Sequence, residues 1–367
     1  MDITPYLRLM VSKHASDLYF SAGTRVGIKI DGITYPVGDN TLTAAQAKDL
    51  AYSLLNEGQI RDFESTFECN LAVTIEAIGR FRVNIFRQRG SVAMAIRHIK
   101  EEIPTVESLN LPLTLKDLVL RPRGLVLIVG STGSGKSTTL AAMIGHRNNN
   151  LSGHILTIED PIEFVHHHDK SIVNQREVGL DTLSYQNALK NAMREAPDAI
   201  LIGEIRDANT MQSAIAYAET GHLCLSTLHA NNANQALERI INFFPDSAHR
   251  QVYMDLSLNL IAVVSQRLLR DTRGGRIPAV EIMLLSPYVA DLIKKGEIRS
   301  IKDAMEQSDI HGMQTFDQSL FALYQSGRIS LEDALANADS RNDLALRIRL
   351  EGRSPSAENA GGANVPA

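Results

Sequence analysis

Leu125-Val-Leu-Ile-Val129 runs directly into Gly130-Ser131-Thr132-Gly133-Ser134-Gly135-Lys136-Ser137, and Thr138-Thr-Leu-Ala-Ala-Met-Ile144 follows. An apolar run, a turn of the form G-x-x-x-x-G-K-[ST] and a helix-like segment are, in that order, the parts of a phosphate-binding loop. Glycines let successive backbone N–H groups converge on phosphate oxygens, and the helix N-terminus adds a favourable dipole. Lys136 suits the β and γ phosphates, and the Ser137 hydroxyl suits Mg2+. The expected cofactors are therefore ATP and Mg2+, bound by Gly130, Ser131, Thr132, Gly133, Ser134, Gly135, Lys136, Ser137 and Thr138.

Working outward, residues 155–158, 199–202 and 223–226 are further continuous apolar runs alternating with helical patterns. Strands buried on both faces read this way in a parallel α/β sheet. Asp198-Ala-Ile-Leu-Ile-Gly203-Glu204 ends one of them on a carboxylate, which the C-terminal edge of such a sheet presents to bound phosphates. Glu204 is expected to hold Mg2+ through water there, whereas Asp198 stands at the wrong end of the strand. Ile158-Glu159-Asp160-Pro161-Ile162-Glu163 gathers three acids, any one of which could orient the attacking water; a helix-capping role is the other reading of Asp160. His222 and His229 flank the strand at 223–228, where either could sense the γ-phosphate. His166-His167-His168 lacks the spacing of a metal site, since consecutive side chains diverge.

Residues 1–100 read as α+β: strands at 16–21 and 26–30, a helix at 43–55, and Phe81, Val83 and Ile85 alternating with Arg80, Arg82 and Asn84. Arg80, Arg82 and Arg97 on this part, with Arg194 and Arg206 beyond it, are the cations available to a transferred phosphoryl group; solvated surface arginines are the plainer reading. Residues 101–123, with three prolines, suit a linker with the domain boundary near 110. Beyond about 245 the pattern reads as helical, and residues 351–367 hold too little apolar mass to order themselves.

The chain has 367 residues, enough for two domains. It carries 44% hydrophobic and 22% charged residues, no apolar run long enough to span a bilayer, and no basic-then-apolar start of the secretory kind. A cytoplasmic protein that meets membranes only through a partner is expected. Cys69 and Cys224 form neither a disulfide framework nor a zinc site. A net charge of −5 argues against nucleic acid as the partner.

Taken together, GSTGSGKS, TIEDPIEF, ILIGEIRD and TGHLCLSTLHANNA stand in the order and spacing of the secretion ATPase superfamily. From about residue 4 to about 345 the chain resembles its type IV pilus retraction ATPases, the PilT/PilU family. The resemblance implies a PAS-like α+β N-terminal domain at 1–100, a linker at 101–123, and a RecA-like P-loop ATPase domain with a helical C-terminal part at 124–350. It makes Glu163 the catalytic base, Glu204 the Walker B acid, His222 and His229 the His-box pair, and Arg82 and Arg97 the N-domain arginines that approach the γ-phosphate. It also implies a homo-hexamer that turns over ATP to drive pilus retraction and twitching, at the cytoplasmic face of the inner membrane through a PilC-type platform protein. The stretches INFFPDSAHRQVYMDLSLNL at 241–260 and GMQTFDQSL at 312–320 are closer to the PilU type, and residues 298–310 lack an AIRAGG-like motif. Those features imply an accessory to a PilT-type motor, or a regulatory subunit with little turnover. A pilus-extension or type II secretion ATPase shares the core motifs, but commonly adds an N-terminal region and a four-cysteine insertion.

Overall fold

The computed structural model describes residues 2–99 and 102–351. They group into two compact units. The first runs to Ile103 and takes in Pro161–His167 and Arg176–Leu183; the second takes the rest of the described chain from Pro104.

In the first unit, α1 (Thr4–Ser12) precedes β1 (Asp17–Phe20), β2 (Val26–Ile30) and β3 (Ile33–Val37). Two helices, α2 (Ala44–Tyr52) and α3 (Glu57–Thr66), lead to β4 (Glu68–Ile75), β5 (Gly79–Gln88) and β6 (Ser91–Ile99). The strands make one antiparallel sheet in the order β3-β2-β1-β6-β5-β4. Period-two alternation sets its core: Phe81, Val83 and Ile85 are buried with Leu18, Phe20, Met94 and Ile96. Arg82 and Arg97 stand directly opposite each other across β5 and β6. The helix expected at 43–55 is α2, set by a capping box in which Thr43 and Gln46 satisfy each other's backbone N–H groups.

The second unit opens with α4 (Thr114–Val119), β7 (Gly124–Val129), α5 (Lys136–Asn150), β8 (Gly153–Glu159) and β9 (Ser171–Glu177), whose last two residues belong to the first unit. It continues with α6 (Tyr185–Ala192), β10 (Ala199–Ile202), α7 (Ala208–Glu219), β11 (Leu223–Leu228), α8 (Ala233–Ile241) and α9 (Asp246–Asn259). A hairpin follows, β12 (Leu260–Arg270) and β13 (Arg276–Leu284), then α10 (Pro287–Lys295), α11 (Ile301–Glu306), α12 (Phe316–Gln325), α13 (Leu331–Ala336) and α14 (Arg341–Glu351). The sheet order is β13-β12-β7-β11-β10-β8-β9, with the five strands from β12 to β8 parallel and β13 antiparallel on β12. Strand β7 is buried at every position, as its unbroken apolar run requires.

Three expectations from sequence are revised. The region beyond 245 is not wholly helical, because 260–284 forms the β12–β13 hairpin and adds two strands to the nucleotide sheet. A short apolar run cannot be told from a buried helix by periodicity alone, and no turn residue separates α9 from β12. The stretch read as a linker is partly core: Val106, Leu111, Leu115, Leu118 and Val119 are buried with Val126, Ile128 and Met143. Glu351, placed in the disordered tail, closes α14, where its carboxylate pairs with Arg347 one turn back at 3.3 Å; the rest of that tail, 352–367, lies outside the described residues.

Candidate nucleotide-binding site

Strand β7 delivers the chain to the loop at Gly130, where a Cβ would stand 2.7 Å from the Gln266 carbonyl and against the Ser134 hydroxyl. Only glycine fits. The Ser134 Oγ is buried without a hydrogen-bond partner. Lys136 Nζ donates to the Gly130 and Ser131 carbonyls at 2.9 and 3.0 Å, and burial lowers its pKa while Glu204 opposes the shift. Helix α5 opens at Lys136 with Gly135 as N-cap and no side-chain cap, so its first N–H groups remain available to a ligand. Ser131, Thr132, Gly133 and Ser137 are exposed, and Thr138 is half-buried. An orphaned hydroxyl, an uncapped helix end and a lysine resting on loop carbonyls together suit an anionic polyphosphate.

Past the C-terminal end of β10, Glu204 is held from two sides. Its Oε1 lies 3.1 Å from His229 Nε2, and its Oε2 accepts from Arg206 at 2.8 and 2.9 Å. Arg206 also stands 3.9 Å from Asp160, and Glu204 with Asp160 keeps its guanidinium charged. Gly203 admits this packing because a Cβ there would meet the Tyr185 hydroxyl at 2.9 Å and Glu159 Cα at 3.2 Å. Burial, and then Asp160, raise the Tyr185 pKa, so that hydroxyl stays neutral and able to donate. Beside the loop lies a cleft of about 430 Å³ lined by Gly130, Ser131, His229, Asn231, Gln235 and Arg239.

The second unit thus brings together Lys136, Ser137, Glu204, His229 and Arg206. Arg82, Arg97 and Glu163 belong to the first unit. Arg97 Nε donates to Asp17 at 2.9 Å, and Asp17 with a smaller contribution from Glu163 raises its pKa. Arg82 reaches Glu177 at 3.4 Å, and Glu163 is exposed. Glu159 accepts from Thr157 and Gln175 at 2.7 and 3.2 Å.

Two readings are corrected here. His222 stands one residue before β11, at the opposite sheet edge, where its Nδ1 lies 3.1 Å from the Thr220 hydroxyl and 3.2 Å from the Tyr217 carbonyl. Six strand residues, about 20 Å at roughly 3.3 Å each, separate it from the Glu204 end, so within one chain the two histidines do not share a site. Asp160 caps no helix: the chain there turns without one, and the carboxylate faces Arg206. Asp198, read as remote, accepts the His154 N–H at 2.7 Å at the far end of β10. Arg194 sits on an exposed turn, and burial holds His166 neutral with a pKa of about 4. Sequence reasoning missed Tyr185 and the buried pair Gln266 and Glu281; β12 and β13, which carry the pair, were not recognised as strands.

A family model described as Type II/IV secretion system protein matches residues 67–277. The chain belongs to that family. It is 55% identical to the "Type IV pilus ATPase PilU" of Pseudomonas aeruginosa, over 95% of this chain and 92% of that one. Identity to the "Type IV pilus retractation ATPase PilT" of the same organism is 42%, over 92% of this chain and 98% of that one. Among solved structures, that of the pilus retraction motor PilT with bound ADP superposes with a TM-score of 0.88 at 40% identity, covering 94% of this chain and 99% of that one. The chain is therefore an ATPase of the type IV pilus branch of this family, more similar to the Pseudomonas PilU than to its PilT. No described helix is long and apolar enough to cross a membrane.

Proposed function

We propose that this chain is a MgATP-hydrolysing subunit that powers type IV pilus retraction, as a PilU-type accessory to a PilT-type motor. The observation that carries the reading is the placement of Lys136, Ser137, Glu204 and His229 at one edge of one parallel sheet, beside an uncapped helix N-terminus. In this reading the N–H groups of residues 130–137 and the Lys136 ammonium hold the β and γ phosphates. Ser137 ligates Mg2+, Thr138 completes the loop, and Glu204 holds the ion's water. Bound Mg2+ supplies charge neutralisation between the phosphates. Glu163 is the general base, and Arg82 and Arg97 offset charge on the transferred phosphoryl group. His229 reads that group's departure through its contact with Glu204.

The two units are then a PAS-like N-terminal domain and a RecA-like core, assembled as a homo-hexamer or together with a PilT-type ATPase. The assembly works at the cytoplasmic face of the inner membrane on a PilC-type platform protein. Removing Lys136 by Lys136→Ala, or the carboxylate by Glu204→Gln, is expected to lower steady-state phosphate release by about a hundredfold or more and to abolish complementation of twitching. Unchanged release and movement in both variants overturn the reading. Phosphate release by the purified protein alone separates the motor from a regulatory subunit, because robust release without a PilT-type partner rules out the latter.

A further inference from the structure

The His229 loop enters α8 under the grip of the β12–β13 hairpin. Glu281, in the middle of β13, is 3% exposed, and its Oε1 accepts the Ala233 N–H at 2.8 Å and the Ser265 hydroxyl at 3.1 Å. From β12, Arg267 donates to the Asn337 carbonyl, reaches the Asn231 carbonyl at 3.4 Å and Asp339 at 2.6 Å, and lies over the Phe316 ring at 3.8 Å. Two neighbouring strands therefore fix Asn231 and Ala233, which follow His229 by two and four residues.

The Asn232 side chain accepts the Gln235 N–H at 2.9 Å, which satisfies one of the N–H groups left open at the start of α8. Glu281 takes another, the buried Ala233 N–H, and does so with a carboxylate, a group that is costly to bury. What it adds is a fixed position for the loop that bears His229, the residue 3.1 Å from Glu204.

We infer that Glu281 is a positioning residue for the nucleotide site, holding His229 against Glu204 by anchoring the first residue of α8. The inference rests on the hydrolytic reading of that site. Burial pushes the Glu281 carboxyl up to about 7; the Ala233 N–H opposes this, Asp339 adds to it, and Ser265 and Arg267 oppose it. Beyond these, Lys302 lies 3.6 Å from Asp339 and 3.7 Å from Asp317. The carboxyl therefore changes charge across neutral pH. Its ionised form grips the helix N-terminus through charge-assisted bonds, and its protonated form grips less. Positioning strengthens as pH rises through about 7.

The test is steady-state phosphate release between pH 6 and 8.5, with affinity for a fluorescent ADP analogue measured in parallel, on the full chain and on Glu281→Gln, Glu281→Ala and Glu204→Gln. The unsubstituted chain is expected to show an inflection in kcat near pH 7, and Glu281→Gln, which keeps a neutral acceptor, to lose it. Glu281→Ala is expected to lower kcat at pH 8 by about tenfold while ADP affinity stays within about threefold, the pattern of a displaced group rather than a lost binding site. An inflection that persists in Glu281→Gln overturns the inference. So does a Glu281→Ala kcat within about twofold of the unsubstituted chain, or an ADP affinity that falls in step with kcat. Where Glu281→Ala does not fold, the Glu281→Gln profile decides alone. Loss of turnover in Glu204→Gln with unaltered behaviour of both Glu281 variants removes only this inference; turnover indifferent to Glu204→Gln removes the hydrolytic reading beneath it.

Discussion

At Gly203 one missing methyl group sets the spacing of the acids. Its Cα packs against the Glu159 backbone and beneath the Tyr185 hydroxyl, so the β10 strand end can lie close to β8 and hold Glu204 where His229 and Arg206 reach it. Gly203→Ala is expected to force a shift of β10 or Tyr185, costing about 1–3 kcal/mol and lowering the thermal midpoint by several degrees. Calorimetry checks this; a midpoint unchanged within a degree shows that the site tolerates the methyl group. In the sequence Gly203 was legible only as the residue before an acid, because its close neighbours, Glu159 and Tyr185, come from other segments. Gly130 to Ser137 was legible as the turn between β7 and α5, since its pattern is written in consecutive residues. His222 misled for the opposite reason: it is close to His229 in sequence, yet a strand carries it to the other edge of the sheet.

Among the elements, the β12–β13 hairpin has the widest effect on the site. Its first strand lies against β7 and places the Gln266 carbonyl beneath Gly130. Its second carries Glu281. The hairpin turn is tied down at Asp271, whose carboxylate Arg328 engages at 2.5 Å and whose Oδ1 accepts the Arg273 N–H at 3.0 Å. Arg328 foremost, then the Arg273 N–H, holds the Asp271 carboxyl below its ordinary value. A carboxyl with a lowered pKa contributes stability that is present at neutral pH and lost as pH falls through the folded-state value. Arg328→Ala is expected to lower the thermal midpoint at pH 7, with the gap to the unsubstituted chain closing as pH falls below 3.8. Parallel melts at pH 7 and in acid measure it, and a gap independent of pH refutes the pairing. The signal for this hairpin was present as Asp271-Thr-Arg-Gly-Gly275 between two apolar runs. It was hidden because α9 passes into β12 without a break. The central strands β7, β10 and β11 were legible because burial on both faces leaves a continuous apolar run.

At the scale of the whole molecule, the division into two units does not follow the order of the chain. Pro161–His167 and Arg176–Leu183 belong to the first unit although they lie within the ATPase stretch. Buried Glu177 ties them in, accepting the Ile162 N–H at 3.2 Å and pairing with Arg82 at 3.4 Å. Glu177→Ala leaves a buried N–H without its acceptor, a loss of about 1–3 kcal/mol, and is expected to speed hydrogen exchange across 161–167 and β5 while β7 and β11 keep their protection. Exchange that rises equally in β7 and β11 counts against a local role. No periodicity in the sequence announces such an arrangement, since membership of a unit is decided by contacts between distant residues.

The chain passes between the units five times, and one passage falls between Asp160 and Pro161, two residues after Ile158 pairs with Ile202 in the nucleotide sheet and two before Glu163. Proline fixes its own φ and restricts the residue before it, so this junction is among the stiffer peptide links available. The backbone at that passage therefore has fewer conformations open to it than an ordinary pair of residues has, and less entropy to lose on ordering.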